Sequence, residues 1–445
     1  MVASSEEGIT LVLDIGKTRS KVLAIAADGK VVGSWARPSA SLKTNLGYMA
    51  LDSHGTEDWL HATLAGLGEM RRAVRRIVPI THGAAFAGID AQGLVMPVAD
   101  YEFRGFDERA EAWEATLDPT EATLSPSLPL GLNAAVQLDW LERHLPRRFA
   151  AVQQWLPYPQ YWAWRLCGVA SSEITSLGCH TQLWRPRGAT WSDLAQRRGW
   201  AARFAPLRRA WEPLGFIDPG LAQRLGLPRG ISVHCGAHDS NACLARYLRA
   251  MPSMTVVSTG TWTVVMAPGA SRLATQATAD TLGNISVRGE IVPTARAMGG
   301  RQFEAICAGA QPKLASTEAL QQLKAAGVCV SADGESVRIG PDREVPIDYI
   351  DSVLDESKRA SLAASHAAHQ TAKLIRELQG SGPVIVEGPF STNPLFLDEL
   401  AAEVKELQVS IDPLEGTARG GWLLGRWTSP EATPPLVREH PAPLR

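Results

Sequence analysis

The chain of 445 residues carries 44 lysines and arginines against 46 aspartates and glutamates, a formal net charge of −2. This balance argues against a dedicated nucleic-acid binder, which needs a basic surplus to meet phosphates. A hydrophobic fraction of 45% excludes a largely disordered chain, and about 150 residues per domain predicts two or three domains.

The sequence gives no sign of a membrane or secreted protein. No apolar run approaches the roughly 18 residues that span a bilayer, and the first ten residues lack an apolar signal core. The six cysteines include no Cys-x-x-Cys pair, which favours reduced thiols in a chain of this length. We therefore predict a cytoplasmic protein with neither membrane nor nucleic-acid partners.

The first half of the chain begins with apolar runs that predict a β-meander, followed by a helix with Thr56 as its N-cap and two further strands. The middle, about 132–215, is more helical and rich in Trp and Arg. The predicted elements are strands at 11–15, 21–27 and 31–36, a helix at 56–74, strands at 77–80 and 85–89, and helices at 133–144 and 242–247.

The second half also begins with strands, after a predicted domain boundary near Pro252. Its last helix is rich in small residues. The predicted elements are strands at 255–258 and 263–266, helices at 302–310 and 357–378, a buried strand at 383–386, and helices at 393–407 and 416–427. Such alternation of strands and helices predicts a layered α/β fold.

The two halves contain a similar motif. Leu11-Val-Leu-Asp-Ile-Gly-Lys-Thr and Thr255-Val-Val-Ser-Thr-Gly-Thr-Trp both follow the order strand, glycine turn, strand. Glycines in such turns let backbone N–H groups approach an anion, and threonine hydroxyls add donors. Two halves that each present such a turn could hold a polyphosphate from two sides.

The first turn has further candidate ligands. Asp14 ends a strand, where a carboxylate can hold a hydrated Mg²⁺ ion, and the turn Gly16–Thr18 with Lys17 or Lys21 can bind phosphate. The sequence has no GxxxxGK[ST] motif, so this is not a Walker A loop. The alternative is an ordinary β-turn with solvated charges.

The segment Gly236-Ala-His-Asp-Ser-Asn ends just before a predicted helix. Its carboxylate, Asp239, could accept a proton from a substrate hydroxyl group. The alternative is that Asp239 only caps the helix.

Four weaker signals complete the set. The hairpin turn 258–262 and the strand-to-helix connection 387–393 lie where α/β folds often bind ligands. The alternative for the first is a plain turn. The alternative for the second is a simple connection in which Asn393 or Thr392 caps the helix. His82-Gly83 and Asp100-Tyr101-Glu102 offer polar groups that could bind a polyol. The alternative is that they are loop residues without a binding role. The pairs His234/His238 and His366/His369 lack the companion ligands of a zinc site, so we predict no metal there.

The order of these segments is more informative than any one of them. From about residue 9 to 427, the chain resembles the FGGY family of carbohydrate kinases, within the sugar kinase, Hsp70 and actin superfamily, and most closely its rhamnulokinase and fuculokinase branch. Further segments that look like those of the family are 137–141, 172–175, 297–300 and the closing segment 415–421.

The resemblance implies an α/β protein with two actin-like (ribonuclease H-like) domains and a cleft between them. Residues 1–245 would bind sugar and phosphate, and residues 246–445 would bind the nucleotide. The implied activity is ATP-dependent phosphorylation of a hydroxyl group of a small carbohydrate, a ketose or related sugar, in sugar catabolism. The implied cofactors are ATP and Mg²⁺, and the implied state is a monomer or homodimer.

The resemblance also implies residue roles, with Asp239 as the catalytic base and Asp14 as a ligand of Mg²⁺ through water. The implied ATP and phosphate ligands are Asp14, Gly16, Lys17, Thr18, Lys21, Thr259, Gly260, Thr261, Gly300, Gly388, Phe390 and Asn393. The implied sugar ligands are His82, Gly83, Asp100, Tyr101, Glu102, His238 and Asp239.

The chain departs from the family pattern at several positions. Lys17 replaces a small residue, Gln137 stands where many members have Lys, and Glu387-Gly-Pro-Phe replaces a run of glycines. Asp100-Tyr-Glu takes the place of a Trp-x-Asp-x-Arg substrate segment.

Two alternative functions stay open. One is an ATP-binding regulator or ATPase of the same superfamily without a sugar substrate, in which His82 and Asp100–Glu102 would have no role. The other is a nicotinamide-dependent dehydrogenase, which is disfavoured because no GxGxxG follows the first strand.

Overall fold

The computed structural model of the protein describes residues 8–109, 112–251, 253–270, 281–331, 334–412, 416–429 and 436–441. These residues form two compact units that interleave along the chain. The first unit falls within residues 1–250, 274–292 and 414–434, and the second within 251–273, 293–413 and 435–445.

The described strands are short to medium in length. In chain order they are β1 (Ile9–Ile15), β2 (Arg19–Ile25), β3 (Val31–Pro38), β4 (Ser41–Lys43), β5 (Met49–Leu51), β6 (Val74–Thr81), β7 (Phe86–Ile89), β8 (Gln154–Pro157), β9 (Trp184–Arg185), β10 (Thr190–Trp191), β11 (Pro213–Phe216), β12 (Ser232–His234), β13 (Ala237–His238), β14 (Thr255–Thr259), β15 (Thr263–Met266), β16 (Thr281–Ile285), β17 (Ile291–Ala297), β18 (Val328–Val330), β19 (Ser336–Ile339), β20 (Arg343–Pro346), β21 (Val384–Glu387), β22 (Leu407–Ser410) and β23 (Val437–Glu439).

The described α-helices alternate with these strands. They are α1 (Ser53–Ala65), α2 (Trp113–Thr116), α3 (Thr120–Thr123), α4 (Ala134–His144), α5 (Pro146–Ala151), α6 (Tyr158–Cys167), α7 (Ile174–Leu177), α8 (Asp193–Arg197), α9 (Pro219–Leu225), α10 (Asp239–Leu248), α11 (Gly299–Cys307), α12 (Thr317–Ala325), α13 (Glu356–Leu378), α14 (Pro394–Ala401) and α15 (Gly416–Leu424). Within the described ranges, no helix combines the length and apolarity needed to cross a membrane.

The main sheet of the first unit has the strand order β11-β12-β6-β1-β2-β3, and β13 also pairs with β6. Strand β1 is antiparallel to β2 and parallel to β6. All seven residues of β1 are buried, as expected of a central strand covered on both faces. The edge strand β3 alternates between exposed and partly buried residues.

The sheet of the second unit repeats this arrangement. Its strands follow the order β17-β15-β14-β21-β22-β23. Strand β14 is antiparallel to β15 and parallel to β21, just as β1 is to β2 and β6. The similarity predicted between the two glycine hairpins is therefore present in the strand topology, and the α/β fold with two sheet-containing units is confirmed.

Each unit has its own hydrophobic core. In the first, one cluster packs α1, α6 and α9 on the sheet, and a second gathers aromatic residues of the Trp-rich middle segment, including Trp140, Trp155 and Trp200. In the second unit, α13 contributes a line of alanines and leucines to a cluster that reaches β14, β21 and α14.

Most predicted strands are confirmed, but several predicted helices have different limits. The helix predicted at 56–74 begins at Ser53 and ends at Ala65. The side chain of Asp52, not Thr56, caps it by accepting a hydrogen bond from the Gly55 N–H group at 2.8 Å. Gly66 terminates it, and a 3₁₀ turn, Gly68–Ala73, follows. The apolar spacing continues past a glycine pair that the helix does not cross.

The helix predicted at 393–407 is shorter, since it ends at Ala401, and Leu407–Ser410 forms β22. Its predicted cap is confirmed, since Asn393 Oδ1 accepts a hydrogen bond from the Phe396 N–H group at 3.1 Å. The final helix ends at Leu424 instead of 427. Glu415, the first residue of the predicted closing segment, lies outside the described residues.

The small residues of α15 allow close packing in the first unit. A Cβ atom on Gly420 would lie 1.8 Å from the Ala242 carbonyl oxygen of α10, and one on Gly421 would lie 2.6 Å from Val12 Cγ1 of β1. Helix α15 therefore rests against both the helix that begins at Asp239 and the central strand.

We predict that Gly420→Ala lowers the melting temperature. Alanine favours a helix over glycine by about 0.5–1 kcal/mol, but the clash with a main-chain oxygen costs about 1–3 kcal/mol or more. Thermal unfolding measures the difference. Gly230→Ala is the control, because a Cβ atom on Gly230 would meet nothing within 4 Å. A Gly420→Ala protein as stable as the wild type would contradict this packing.

Candidate active site

Three segments that are far apart in sequence meet at one edge of the first unit's sheet. Strand β6 pairs with β1 so that Thr81 lies opposite Ile15, and with β13 so that Thr81 lies opposite His238. The ends of parallel strands meet at the same edge. The glycine turn after β1, the His82-Gly83 segment after β6 and Asp239 after β13 are therefore neighbours.

The turn after β1 has the compact form that the sequence predicts. The Gly16 N–H group donates to the Arg19 carbonyl oxygen at 3.0 Å, and a Cβ atom on Gly16 would lie 2.8 Å from that oxygen. Asp14 is buried, with 9% exposure, and lies opposite Lys21 in the hairpin. Thr18 is exposed.

Lys17 points to the predicted sugar ligands. Its ammonium group lies 2.7 Å from Asp100 Oδ2, 3.3 Å from Glu102 Oε2 and 3.2 Å from Ser41 Oγ, above the ring of Tyr101. An ammonium group has three N–H donors, and these three oxygens match them. The family resemblance implies that Lys17 is a phosphate ligand, whereas the structure places it with Asp100–Glu102.

The Asp100 carboxylate is fully engaged within the protein. Burial alone would raise its pKa, but hydrogen bonds from Lys17 and Ser41 and from the Glu102 N–H group hold the pKa below its ordinary value. Asp100 is therefore ionised and anchors the loop that carries Tyr101.

His82 has one ring nitrogen without a hydrogen bond among the described residues. Its Nδ1 atom lies 2.8 Å from the Gly83 carbonyl oxygen, which can only accept, so Nδ1 carries the proton. Burial lowers the pKa of His82, and the ring is therefore neutral with Nε2 as an acceptor. The rings of Tyr101 and Tyr158 lie 5.8 Å and 5.5 Å away and flank it.

Asp239 is the first residue of α10 and its side chain is 32% exposed. Its Oδ1 atom accepts from the Ser240 N–H group at 2.6 Å and lies 3.1 Å from His238 Nε2. Within the described part of the chain, its Oδ2 atom has no hydrogen bond. A Cβ atom on Gly83 would lie 2.9 Å from His238 Nε2, so this glycine leaves room for the imidazole.

A buried polar network lies behind His238. Glu173 accepts from the Thr175 N–H group at 2.9 Å, and Thr175 Oγ1 accepts from the His238 N–H group at 3.1 Å. Burial raises the pKa of Glu173 to about 7. Burial would also lower the pKa of His238, but the nearby Cys179 and Asp239 raise it above its ordinary value.

Cys179 is the counterpart of His238 in this network. Burial would raise the pKa of its thiol, but the nearby imidazole groups of His180 and His238 lower it well below its ordinary value. Asn241 Nδ2 donates toward His238 Nδ1, so the ring proton lies on Nε2, which can donate to Asp239 Oδ1.

Sequence reasoning missed four residues of this site: Ser41, Glu173, Cys179 and Asn241. The Nδ2 atom of Asn241 lies 3.2 Å from His238 Nδ1 and 3.1 Å from Asn284 Oδ1. Glu173 and Asn241 had a signal, since they lie in the Ser172-Glu-Ile-Thr and Gly236-Ala-His-Asp-Ser-Asn segments that the sequence pattern identifies. The others make contacts that no local pattern encodes.

In the second unit, Thr259 joins two predicted nucleotide segments. Its hydroxyl group donates to the Glu387 carbonyl oxygen and accepts from the Phe390 N–H group at 3.1 Å. Gly388 has a φ of 80°, and a Cβ atom there would lie 2.0 Å from the Thr259 carbonyl oxygen. The turn that replaces the family's run of glycines thus keeps the one glycine that this close approach requires.

The turn after β14 is also in contact with a helix start. A Cβ atom on Gly300, in the first turn of α11, would lie 1.9 Å from the Gly260 carbonyl oxygen. Gly260 and Thr261 are exposed. They present main-chain and hydroxyl groups to solvent next to the N-terminus of α11, where free N–H groups favour anions.

Two further predicted nucleotide ligands have different positions. The Phe390 side chain is 6% exposed and packs against Phe303 and Phe396, with ring centroids 5.0 Å and 4.9 Å away. It belongs to the core, so only the main chain of Phe390 is open to a ligand role. Asn393 caps α14 through Oδ1, and its buried Nδ2 atom has no partner among the described residues.

Two family models match the chain. The N-terminal domain of the FGGY family of carbohydrate kinases matches residues 113–245, and the carbohydrate kinase FGGY C-terminal domain matches residues 251–434. A solved carbohydrate kinase from Novosphingobium aromaticivorans is 32% identical, with a TM-score of 0.83, and the alignment covers 97% of this chain and 94% of that one. A xylulose kinase from Lactobacillus acidophilus shares the fold, with a TM-score of 0.76 at 13% identity over 94% of this chain and 89% of that one.

Curated relatives are more distant. An L-fuculokinase from Salmonella typhi is 29% identical over 274 residues, which are 59% of this chain and 57% of the relative. A xylulose kinase from Staphylococcus epidermidis is 24% identical over 246 residues, or 53% of this chain and 48% of that protein. The matches thus span about half the length of these curated relatives. Together with the domain models and the structure from Novosphingobium, they show that the chain belongs to the FGGY family of carbohydrate kinases.

Proposed function

We propose that the protein transfers a phosphoryl group from ATP to a hydroxyl group of a small ketose. The observation that carries this proposal is the different environment of the two carboxylate oxygens of Asp239. One carboxylate oxygen is fixed by protein donors, the other is open, and the side chain is partly exposed beside His82 and the glycine turn. A helix cap with no further role would not need an adjacent acceptor such as His82 Nε2.

The proposed role of Asp239 is that of general base. Its Oδ2 atom would accept the proton of the attacking sugar hydroxyl group, while His238 and the Ser240 N–H group hold Oδ1. A base held in one orientation needs no rearrangement at the moment of proton transfer. His238 acts through Asp239 and is therefore a positioning residue.

His82 and the aromatic rings beside it suit a sugar. The Nε2 atom of His82 can accept a hydrogen bond from a second hydroxyl group, and the ring faces of Tyr101 and Tyr158 offer apolar surface for C–H groups. Lys17 and Asp100 fix the loop that carries Tyr101 without contacting the sugar themselves. A site built from acceptors of this kind discriminates between polyols by the positions of their hydroxyl groups.

The proposed phosphate ligands are main-chain groups and Asp14. Mg²⁺ binds through one or two carboxylates together with water and phosphate oxygens, a demand that Asp14 at the strand end can meet. Among the described residues, no group of three or more His, Cys, Asp or Glu side chains could form a protein cage for a metal. When bound, Mg²⁺ would neutralise phosphate charge, and Gly16–Thr18 would orient the phosphates.

In the second unit, the proposed ATP ligands are the exposed Gly260–Thr261 turn, the adjacent Gly300 and the Nδ2 donor of Asn393. Buried amide donors without a partner cost about 1–3 kcal/mol, so a ligand that accepts from Asn393 would be stabilised. Gly388 and the main chain of Phe390 complete this set.

The sugar is proposed from the names of the relatives. The curated relatives include L-fuculokinases and xylulose kinases. The sugars in both names, L-fuculose and xylulose, are ketoses. The Asp100-Tyr101-Glu102 loop, anchored by Lys17, differs from the segment typical of the family, so the ketose itself is the point on which this chain can differ from them.

A coupled assay of ADP release over ketoses, aldoses and polyols, including L-rhamnulose, L-fuculose and the pentuloses, tests the proposal. We expect one ketose to stimulate ADP release. In Asp239→Asn, kcat with that sugar should fall by about 10²–10⁴, because an amide cannot accept the proton.

The melting temperature of Asp239→Asn should change little, because the amide oxygen can still accept from Ser240. ATP hydrolysis that no sugar stimulates would instead support the regulator or ATPase alternative. A variant with near wild-type turnover would remove Asp239 from the mechanism.

We predict that Lys17→Met acts on the sugar and not on ATP. The three donors of Lys17 reach Ser41, Asp100 and Glu102, so its loss frees the sugar loop. The apparent KM for the sugar should rise about tenfold, equivalent to about 1.4 kcal/mol, whereas the KM for ATP should change less than about twofold.

Lys43→Met is the matched control, because Lys43 is an exposed lysine of the same unit, on β4. It should change neither constant. If Lys17→Met instead raised the KM for ATP and left that for the sugar unchanged, Lys17 would be a phosphate ligand, as the family resemblance implies.

A further inference from the structure

A cavity lies within the first unit, away from the candidate active site. Its volume is about 800 Å³. It is formed by the start of β6, the segment 209–216, the strand β12 and the residues that follow α15. Arg76 of β6 lines it, and His82 follows the other end of that strand. Six residues of strand at about 3.3 Å each separate the two sites by about 20 Å.

The lining of this cavity is strongly basic, although the chain as a whole is slightly acidic. Arg75, Arg76, Arg209 and Arg426 line it, against the single carboxylate of Glu212. That carboxylate already forms an ion pair with Arg208 at 3.0 Å. The guanidinium groups of Arg75 and Arg209 bring positive charge to this lining, which favours an anionic ligand.

The guanidinium groups of two of these arginines have no carboxylate partner among the described residues, although the Arg209 main-chain N–H group donates to Glu212 Oε2 at 3.3 Å. Arg75 donates to the carbonyl oxygens of Arg72 and Val74 at 2.8 Å and 3.1 Å. Arg209 donates through its side chain to the Arg288 carbonyl oxygen at 3.5 Å. Carbonyl oxygens satisfy some N–H groups but leave the charge of the guanidinium group uncompensated.

The wall of the cavity is already ordered. The rings of Trp211 and Trp427 stack with centroids 5.1 Å apart and planes at 19°. The Arg209 guanidinium group lies 5.9 Å from the Trp211 ring centroid, and that of Arg249 lies 5.5 Å from the Trp427 ring centroid. Stacking of this kind limits the freedom of an arginine, so less is lost when it binds an anion.

Neutral polar groups complete the lining. Burial lowers the pKa of His234 to about 4, so its ring is uncharged near neutral pH. Its Nδ1 atom lies 2.8 Å from the Trp211 carbonyl oxygen, and its Nε2 atom lies 3.3 Å from Ser232 Oγ. Hydroxyl and imidazole groups of this kind suit the sugar or alcohol part of a phosphate ester.

We infer that this cavity binds the phosphate group of a small organic phosphate. A guanidinium group binds phosphate oxygens through two parallel N–H···O bonds, and a dianion matches a cavity where two guanidinium groups lack a carboxylate partner among the described residues. The volume exceeds the need of inorganic phosphate and falls in the range of small-molecule sites, so the organic part is expected to contribute. This inference does not rest on the proposed kinase activity.

Calorimetry with ribose 5-phosphate and with inorganic phosphate tests the inference. We expect the wild type to bind ribose 5-phosphate more tightly than inorganic phosphate. Arg75→Gln/Arg209→Gln should weaken binding of ribose 5-phosphate about tenfold or more. The control Arg147→Gln/Arg187→Gln removes two exposed arginines outside the cavity and should bind as the wild type does.

A second variant separates this cavity from the proposed nucleotide site. Gly260→Val lies in the second unit, where a Cβ atom would make only a van der Waals contact with the Trp262 carbonyl oxygen at 3.9 Å, and it should leave binding of ribose 5-phosphate unchanged. The inference is overturned if wild type shows no binding at about 10 mM, if the cavity variant binds as tightly as wild type, or if Gly260→Val alone abolishes binding. Thermal unfolding of each variant checks that a loss of binding does not come from a loss of folding.

Discussion

The pairing of β6 with β1 on one side and with β13 on the other is the constraint on which the candidate active site depends. Thr81 is opposite Ile15 in one pair and opposite His238 in the other. A shift of one residue in either register would turn the following side chains to the opposite face of the sheet. Backbone hydrogen bonds deep in the sheet therefore determine where His82, Asp239 and the glycine turn lie.

The charges of the site are then distributed by direct contact. Lys17 extends from the glycine turn to Asp100 and Glu102, so one side chain links the proposed phosphate segment to the proposed sugar segment. On the other side, Asn241 lies at Nδ1 of His238, and Nε2 of His238 fixes one oxygen of Asp239. Both arrangements leave a single open acceptor on Asp239 beside a neutral His82.

Local features can be predicted from the sequence, and long-range contacts cannot. The two glycine hairpins and the Asn393 cap depend on neighbouring residues, so strand patterns and capping rules predict them. Lys17 and Asp100 are 83 positions apart, and Thr175 and His238 are 63 apart, so no spacing rule connects them. The family resemblance implies that Phe390 is a ligand, whereas packing against Phe303 takes its side chain into the core. The ends of two helices differ from prediction where apolar spacing runs on past a glycine or into a strand.

A crystal structure of Asp239→Asn with its ketose bound tests the central claim most directly, because the variant would hold the sugar without turning it over. The account predicts a sugar hydroxyl group about 2.6–3.2 Å from the side chain of residue 239, with a second hydroxyl group at His82 Nε2. A ketose bound elsewhere in the first unit, with residue 239 in contact only with Ser240 and His238, would contradict it.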